Sequence, residues 1–151
     1  MRARKYIGER QKDQTDKSMS RQLVGQISIN HPARWDGGGP ESTGAIVTLR
    51  FLGLFQKRSW ENFSTEAGVS FAFDRRVWGG EWLQCGDADG VSGQCKSAFN
   101  RTFTVARPPN SEGQNWEIQV RRLTPDNVQW VHNRFFLYST EEIFADGRRR
   151  P

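Results

Sequence analysis

Histidine and cysteine are scarce in this sequence, with two of each: His31 and His132, Cys85 and Cys95. Acid–base chemistry near neutral pH draws first on histidine, and neither His31 nor His132 has a second His or a Cys at metal-ligand spacing. The cysteine pair is not repeated, so a four-ligand zinc site has too few members. No stretch approaches the roughly 18 to 20 apolar residues of a membrane span, and the first residues lack the apolar segment of a secretory signal. These absences predict a soluble chain with no membrane insertion, no cofactor, no metal and no catalytic centre. Helical patterning is missing too. No long segment keeps the roughly 3.6-residue period of an amphipathic helix, which argues against α/β architectures, whose parallel strands need helical crossovers.

Charge of one sign is confined to the two ends. The net charge is +5 over 151 residues, but residues 1–21 hold seven basic groups against three acidic, and Arg148, Arg149 and Arg150 add three more. Residues 22–147 are left with twelve basic groups against fourteen acidic, so the folded part is near neutral. Clustered Lys and Arg gain affinity for nucleic acid by releasing counterions from phosphates, and a neutral body offers no such cluster. We read residues 1–21 as a flexible basic segment, with a short helix as the alternative, because it buries too little apolar surface to offset its conformational entropy. Residues 22–146 form one domain, and residues 147–151 a basic C-terminal tail.

What the chain does have is aromatic residues in alternating runs. Six Trp and ten Phe, each able to bury roughly 150–250 Å², supply much of the core of a chain whose mean hydropathy is only −0.76. Val24 to Asn30 alternates loosely, and Asp36-Gly37-Gly38-Gly39-Pro40 reads as a break. Ala45 to Phe55 directs Val47, Leu49 and Phe51 to one face, with Gly53 ending or bulging the strand. Gly68 to Asp74 does the same with Val69, Phe71 and Phe73. Ala98 to Val105, Trp116 to Leu123 and Phe135 to Ile143 follow, with Arg101 expected at a bend or a sheet edge and Trp116 in the core. Such spacing predicts an all-β fold, an antiparallel two-sheet β-sandwich of the immunoglobulin or fibronectin III kind with about seven strands. A small OB-type barrel is the competing β reading.

Candidate sites are few. Cys85 and Cys95 flank Gly86-Asp87-Ala88-Asp89-Gly90 at a spacing that allows a disulfide, and two free thiols are an equal reading. Asp87 and Asp89 resemble half of a calcium loop without the distal Glu that closes one. Trp35 and Trp60, beside loop segments, are the aromatics expected to stay available for contacts. Arg121 and Arg122 adjoin at the end of a strand, so their side chains leave on opposite faces. One of them is expected to pair with Glu141 or Glu142 on the last strand, across a hairpin whose turn, Thr124-Pro125-Asp126, is set by Pro and by an Asp hydrogen bond.

These last residues also carry a resemblance. Trp116-Glu117-Ile118-Gln119-Val120-Arg121-Arg122-Leu123-Thr124-Pro125-Asp126, followed by Tyr138-Ser139-Thr140-Glu141-Glu142-Ile143, resembles a segment of the tip attachment protein J family, the host-specificity proteins of lambda-type long-tailed phages. Leu52 to Gln56, Val69 to Arg75 with Trp78-Gly79-Gly80-Glu81-Trp82, and Lys96 to Phe99 occur in the same order as similar stretches of that family, so the resemblance spans about residues 45–145. It implies a β-sandwich domain inserted in a tail hub, excised or derived from a truncated prophage product. The implied partners are other hub domains or tail proteins, in a homotrimer for the full-length protein. The implied place is the virion tail tip, assembled in the bacterial host cytoplasm. The expected function is therefore a structural and assembly module. A carbohydrate-binding sandwich that recognises host-surface glycans is the alternative, and an enzyme such as a glycosidase would need two carboxylates facing each other across a cleft.

Overall fold

The computed structural model describes residues 25–57, 64–126 and 128–151. Within them the alternating runs become strands: β1 (Ala33–Gly38), β2 (Ser42–Phe51), β3 (Phe55–Lys57), β4 (Ser64–Thr65), β5 (Ala67–Val77) and β6 (Leu83–Gln84). The second half adds β7 (Asp89–Gly93), β8 (Phe99–Ala106), β9 (Trp116–Arg122), β10 (Val131–His132), β11 (Phe135–Phe144) and β12 (Arg149–Arg150). All pairings are antiparallel, and no helix occurs among the described residues. One sheet runs β12-β11-β2-β8, the other β1-β9-β5-β6 with β7 also on β5, and a small third sheet runs β10-β3-β4. The fold is the expected β-sandwich.

Its interior follows from the two-residue period of the strands. Val47, Leu49 and Phe51 of β2 and Phe135 of β11 face Val69, Phe71 and Phe73 of β5 and Trp116, Ile118 and Val120 of β9, all buried in one cluster. Phe71 is the centre: its ring lies 6.1 Å from Phe51, 5.9 Å from Phe73, and 5.4 Å from both Phe103 and Phe135. Trp116 is fully buried, as expected, and its indole Nε1 donates to Ser42 Oγ at 2.8 Å, so the one polar atom of the ring is satisfied.

Three local expectations give way. Val24 to Asn30 does not form a strand where it is described: Gln26 and Ser28 make isolated bridges only, while Ile27 is fully buried. The run read as a break, Asp36-Gly37-Gly38, instead ends β1, which pairs with β9 through an irregularity between Trp35 and Gly38. Glycine is required there by contact, since a Cβ on Gly38 would lie 2.6 Å from Trp116 ring atoms and from its carbonyl oxygen. Gly38→Ala should therefore destabilise the fold by about 1–3 kcal/mol, measured as a lower urea midpoint with an unchanged slope. The third is Arg149–Arg150, assigned by sequence to a tail, which pairs with Ile143 and Glu142 as β12. Asp146 shapes the turn before it, accepting from the Arg148 backbone N–H at 3.0 Å and side chain at 2.6 Å, which holds its carboxyl below the usual range.

Outside the core, β5 and β9 turn a polar ladder outward. Asp74 accepts from Gln119 Nε2 at 2.8 Å and from Arg121 Nε at 2.5 Å, and Arg34 donates to Gln119 Oε1 at 2.9 Å. Arg76 pairs with Glu117 at 3.2 Å and lies 4.2 Å from the Trp82 ring centre. Asp74, Glu117 and Gln119 are thus buried although they lie on the outer face, because arginines and Trp82 cover them.

Candidate interaction surface

The strand ends divide the molecule into two poles. At one pole Gly39 N donates to Glu142 Oε2 at 2.8 Å, and Glu142 Oε1 accepts from Arg150 at 2.6 Å. Loop 107–115 closes the same pole around Arg107, which donates to the carbonyls of Ser42, Ser111 (2.6 Å) and Gln114 (2.7 Å). At the other pole the chain leaves β9, crosses from one sheet to the other through residues 123–134, and enters β11. Because β9 and β11 lie in different sheets, the Arg-Arg-Leu-Thr-Pro-Asp segment does not close the expected hairpin.

Each residue of that segment has another task. Arg121, on the outer face, forms the bidentate pair with Asp74 and reaches Gln84 Oε1 at 2.9 Å; the hydrogen bonds to Asp74 hold its guanidinium above the ordinary range. Arg122 leaves on the opposite face and is buried. Its Nε donates to Thr124 O at 2.8 Å, Nη1 to Asn133 O at 3.0 Å, and Nη2 to Asn133 Oδ1 at 2.8 Å and Pro125 O at 3.2 Å. Burial pushes this guanidinium below its ordinary range, against the attraction of Asp126. Asn133 in turn donates to Gly68 O at 3.0 Å, and Thr124 Oγ1 accepts from Ser70 N at 2.7 Å, so the crossover is fastened to β5. Asp126 has a distant partner: its Oδ2 accepts from Ile29 N at 3.0 Å, tying the crossover to the segment before β1. Glu141 is remote from the motif and sits 4.0 Å from Arg149, while Glu142 pairs with Arg150. Neither glutamate meets Arg121 or Arg122.

Above this network lies a cleft of about 300 Å³ lined by Gln26, Arg122, Asp126, Val128, Trp130 and the run 131–134. Trp130 has a φ of +71°, a left-handed conformation that costs a bulky residue about 1–3 kcal/mol. Its carbonyl is held by Lys57 N at 2.8 Å and the next residue by Val128 O at 3.2 Å. Trp130 is 46% and Val128 49% exposed on the cleft rim, and Ile29, tied to Asp126 through its backbone, is exposed too. His132 stacks on Phe55 with ring centres 4.4 Å apart. Among the described residues one carboxylate, Asp126, lines the cleft, and no group of three or more His, Cys, Asp or Glu could hold a metal. The chemistry on offer is therefore an apolar rim over fixed hydrogen-bonding groups, which suits binding.

The remaining sequence candidates fall elsewhere. Trp35 is half-buried, edge-on to Trp116 at 5.6 Å and 82°, and so serves the core. Trp60 lies outside the described residues. Cys85 and Cys95 are free thiols: Cys85 packs against the core, and Cys95 Sγ donates to Ser97 O at 3.3 Å. Val128 carried no sequence signal beyond its place after a Thr-Pro-Asp turn, and Trp130 only its aromatic ring, which it shares with five other tryptophans. No curated protein matches the chain. A family model does, over residues 39–146: Tip attachment protein J, FNIII-A domain. That span is well over half of the sequence and contains both sheets apart from β1 and β12, so the chain belongs to the FNIII-A domain family of tip attachment protein J.

Proposed function

We propose that this chain is a structural and assembly module of a phage tail tip that contacts other hub domains or tail proteins through the crossover pole. Family membership gives the tail-component role; one observation carries the choice of surface. A strained Trp130 is held with its ring exposed beside Val128, on a foundation that Arg122, Thr124 and Asp126 fasten to β9, to β5 and to the segment before β1. Aromatic side chains on a rigid base are the commonest anchors of protein interfaces. At the opposite pole, Gly39 lies beside Glu142 and Arg150, so the two ends of the family-matched span leave the sandwich together and the crossover pole points away from them. In the full-length protein this arrangement fits a domain inserted in a homotrimeric hub.

The glycan-binding reading has less support. Trp78 and Trp130 are exposed at opposite poles, and Tyr138 lies on the outer sheet face with Arg50 5.6 Å from its ring centre, so these exposed aromatics of the described residues share no platform. The test is a phage whose tail-tip protein carries Val128→Ser with Trp130→Ser. Losing two rim anchors should cost about 2–4 kcal/mol of contact energy, read as a titre lowered by at least about tenfold with the isolated chain's thermal unfolding unchanged. An unaltered titre would remove the crossover pole from the interface.

A further inference from the structure

Strand β8 is the terminal strand of its sheet, paired only with β2 among the described residues. Its other edge presents the backbone of Phe99 to Ala106 in a run rich in Phe, Thr and Val, the composition that favours addition of a further strand. Register shows which side chains point between the sheets. Phe99 pairs with Phe51, Phe103 with Val47 and Val105 with Ala45, and all three partners are fully buried. Arg101 pairs with Leu49, also fully buried, so Arg101 belongs to the inward-facing set although it is exposed. Its guanidinium lies 4.8 Å from the Phe99 ring centre and donates to Asn100 O at 3.2 Å, which carries the charge out over the edge rather than into the core. From the opposite sheet, Arg75 Nη1 donates to Ala106 O at 2.9 Å, occupying one acceptor at the end of the strand.

We propose that β8 is a self-pairing edge for a second copy of this chain and that Arg101 holds it shut. A second β8 docked antiparallel would extend the sheet and cover the space into which Arg101 now leans. Both guanidiniums would then be desolvated with no carboxylate from β8 itself to pair with, since Phe99 to Ala106 contains none. A valine at the same place would instead continue the apolar face of the extended sheet. The effect requires a charge pointing inward and does not depend on its sign, which separates it from a role of Arg101 in holding Phe99.

The test compares the unsubstituted chain with Arg101→Val, Arg101→Thr, Arg101→Lys and Arg101→Glu by sedimentation velocity across a range of concentrations, with amide hydrogen exchange on any associated species. Val and Thr should each double the mass relative to the unsubstituted chain, with new amide protection confined to residues 99–106, while Lys and Glu should leave the mass unchanged. Thr serves as the second probe should the Val variant misfold. An unchanged mass for the folded Val and Thr variants would overturn the proposal. So would association of the Glu variant to the same extent as Val, or association that leaves β8 amides unprotected.

Discussion

Phe71→Ala is expected to lower stability by about 3–5 kcal/mol, read as a fall in the urea midpoint. The ring is fully buried and meets four other phenylalanines, Phe73 from its own strand and Phe51, Phe103 and Phe135 from the facing sheet, at centre distances of 5.4 to 6.1 Å. Truncation leaves a cavity that those rings cannot refill, because Phe51 is stacked between Phe99 at 5.1 Å and Phe135 at 5.3 Å and has no room to move toward the gap. Domains of this size hold about 5–15 kcal/mol in total, so the variant should be partly unfolded in mild denaturant. A loss below about 1.5 kcal/mol would mean that the two sheets close over the gap and that the packing is softer than the ring geometry implies.

Arg122→Met should cost on the order of 3 kcal/mol, and the damage should be local before it is global. Methionine keeps much of the volume but strands the carbonyls of Thr124, Pro125 and Asn133, which Arg122 now satisfies. Hydrogen exchange should quicken across residues 123–134 while β5 and β9 stay protected. Arg122→Lys should recover only part of the loss, since one ammonium cannot span acceptors that a planar guanidinium reaches from three nitrogens. Stability within about 0.5 kcal/mol of the parent would show that water replaces the guanidinium without cost.

The sequence was most readable where burial is one-sided. In β2 and in the first half of β5 the residues of one face enter the core, and the period of two predicts both the strand and its inward face. It failed at the edges. β7 is exposed along most of its length and has no alternation to detect, so Asp89 and Gly90 read as part of the loop between the cysteines. β1 was hidden by its glycines: Asp36-Gly37-Gly38 has turn composition, and only the Trp116 ring lying against Gly38 explains why a strand needs them. In β9 the alternation gave the right directions but the wrong exposures, since Glu117 and Gln119 are covered by side chains contributed from distant positions.

The candidate site was half legible for a related reason. Arg121, Arg122, Thr124, Pro125 and Asp126 stood out as a unit, yet the local chemistry of a turn is the same whether the chain doubles back in one sheet or crosses to another. What distinguishes the two is the register of β11 with β2 rather than β9, a pairing between residues far apart in sequence. Trp130 was overlooked because its importance lies in a backbone angle, which residue type does not reveal.

The family-matched span begins at residue 39, but Ile27 is fully enclosed and Trp35 lies edge-on against Trp116. A domain cut at that residue would therefore pass through the interior of the sandwich and lay bare one side of the buried Trp116 indole. The physical unit starts upstream of the recognisable one, and residues that look like a lead-in act as a wall.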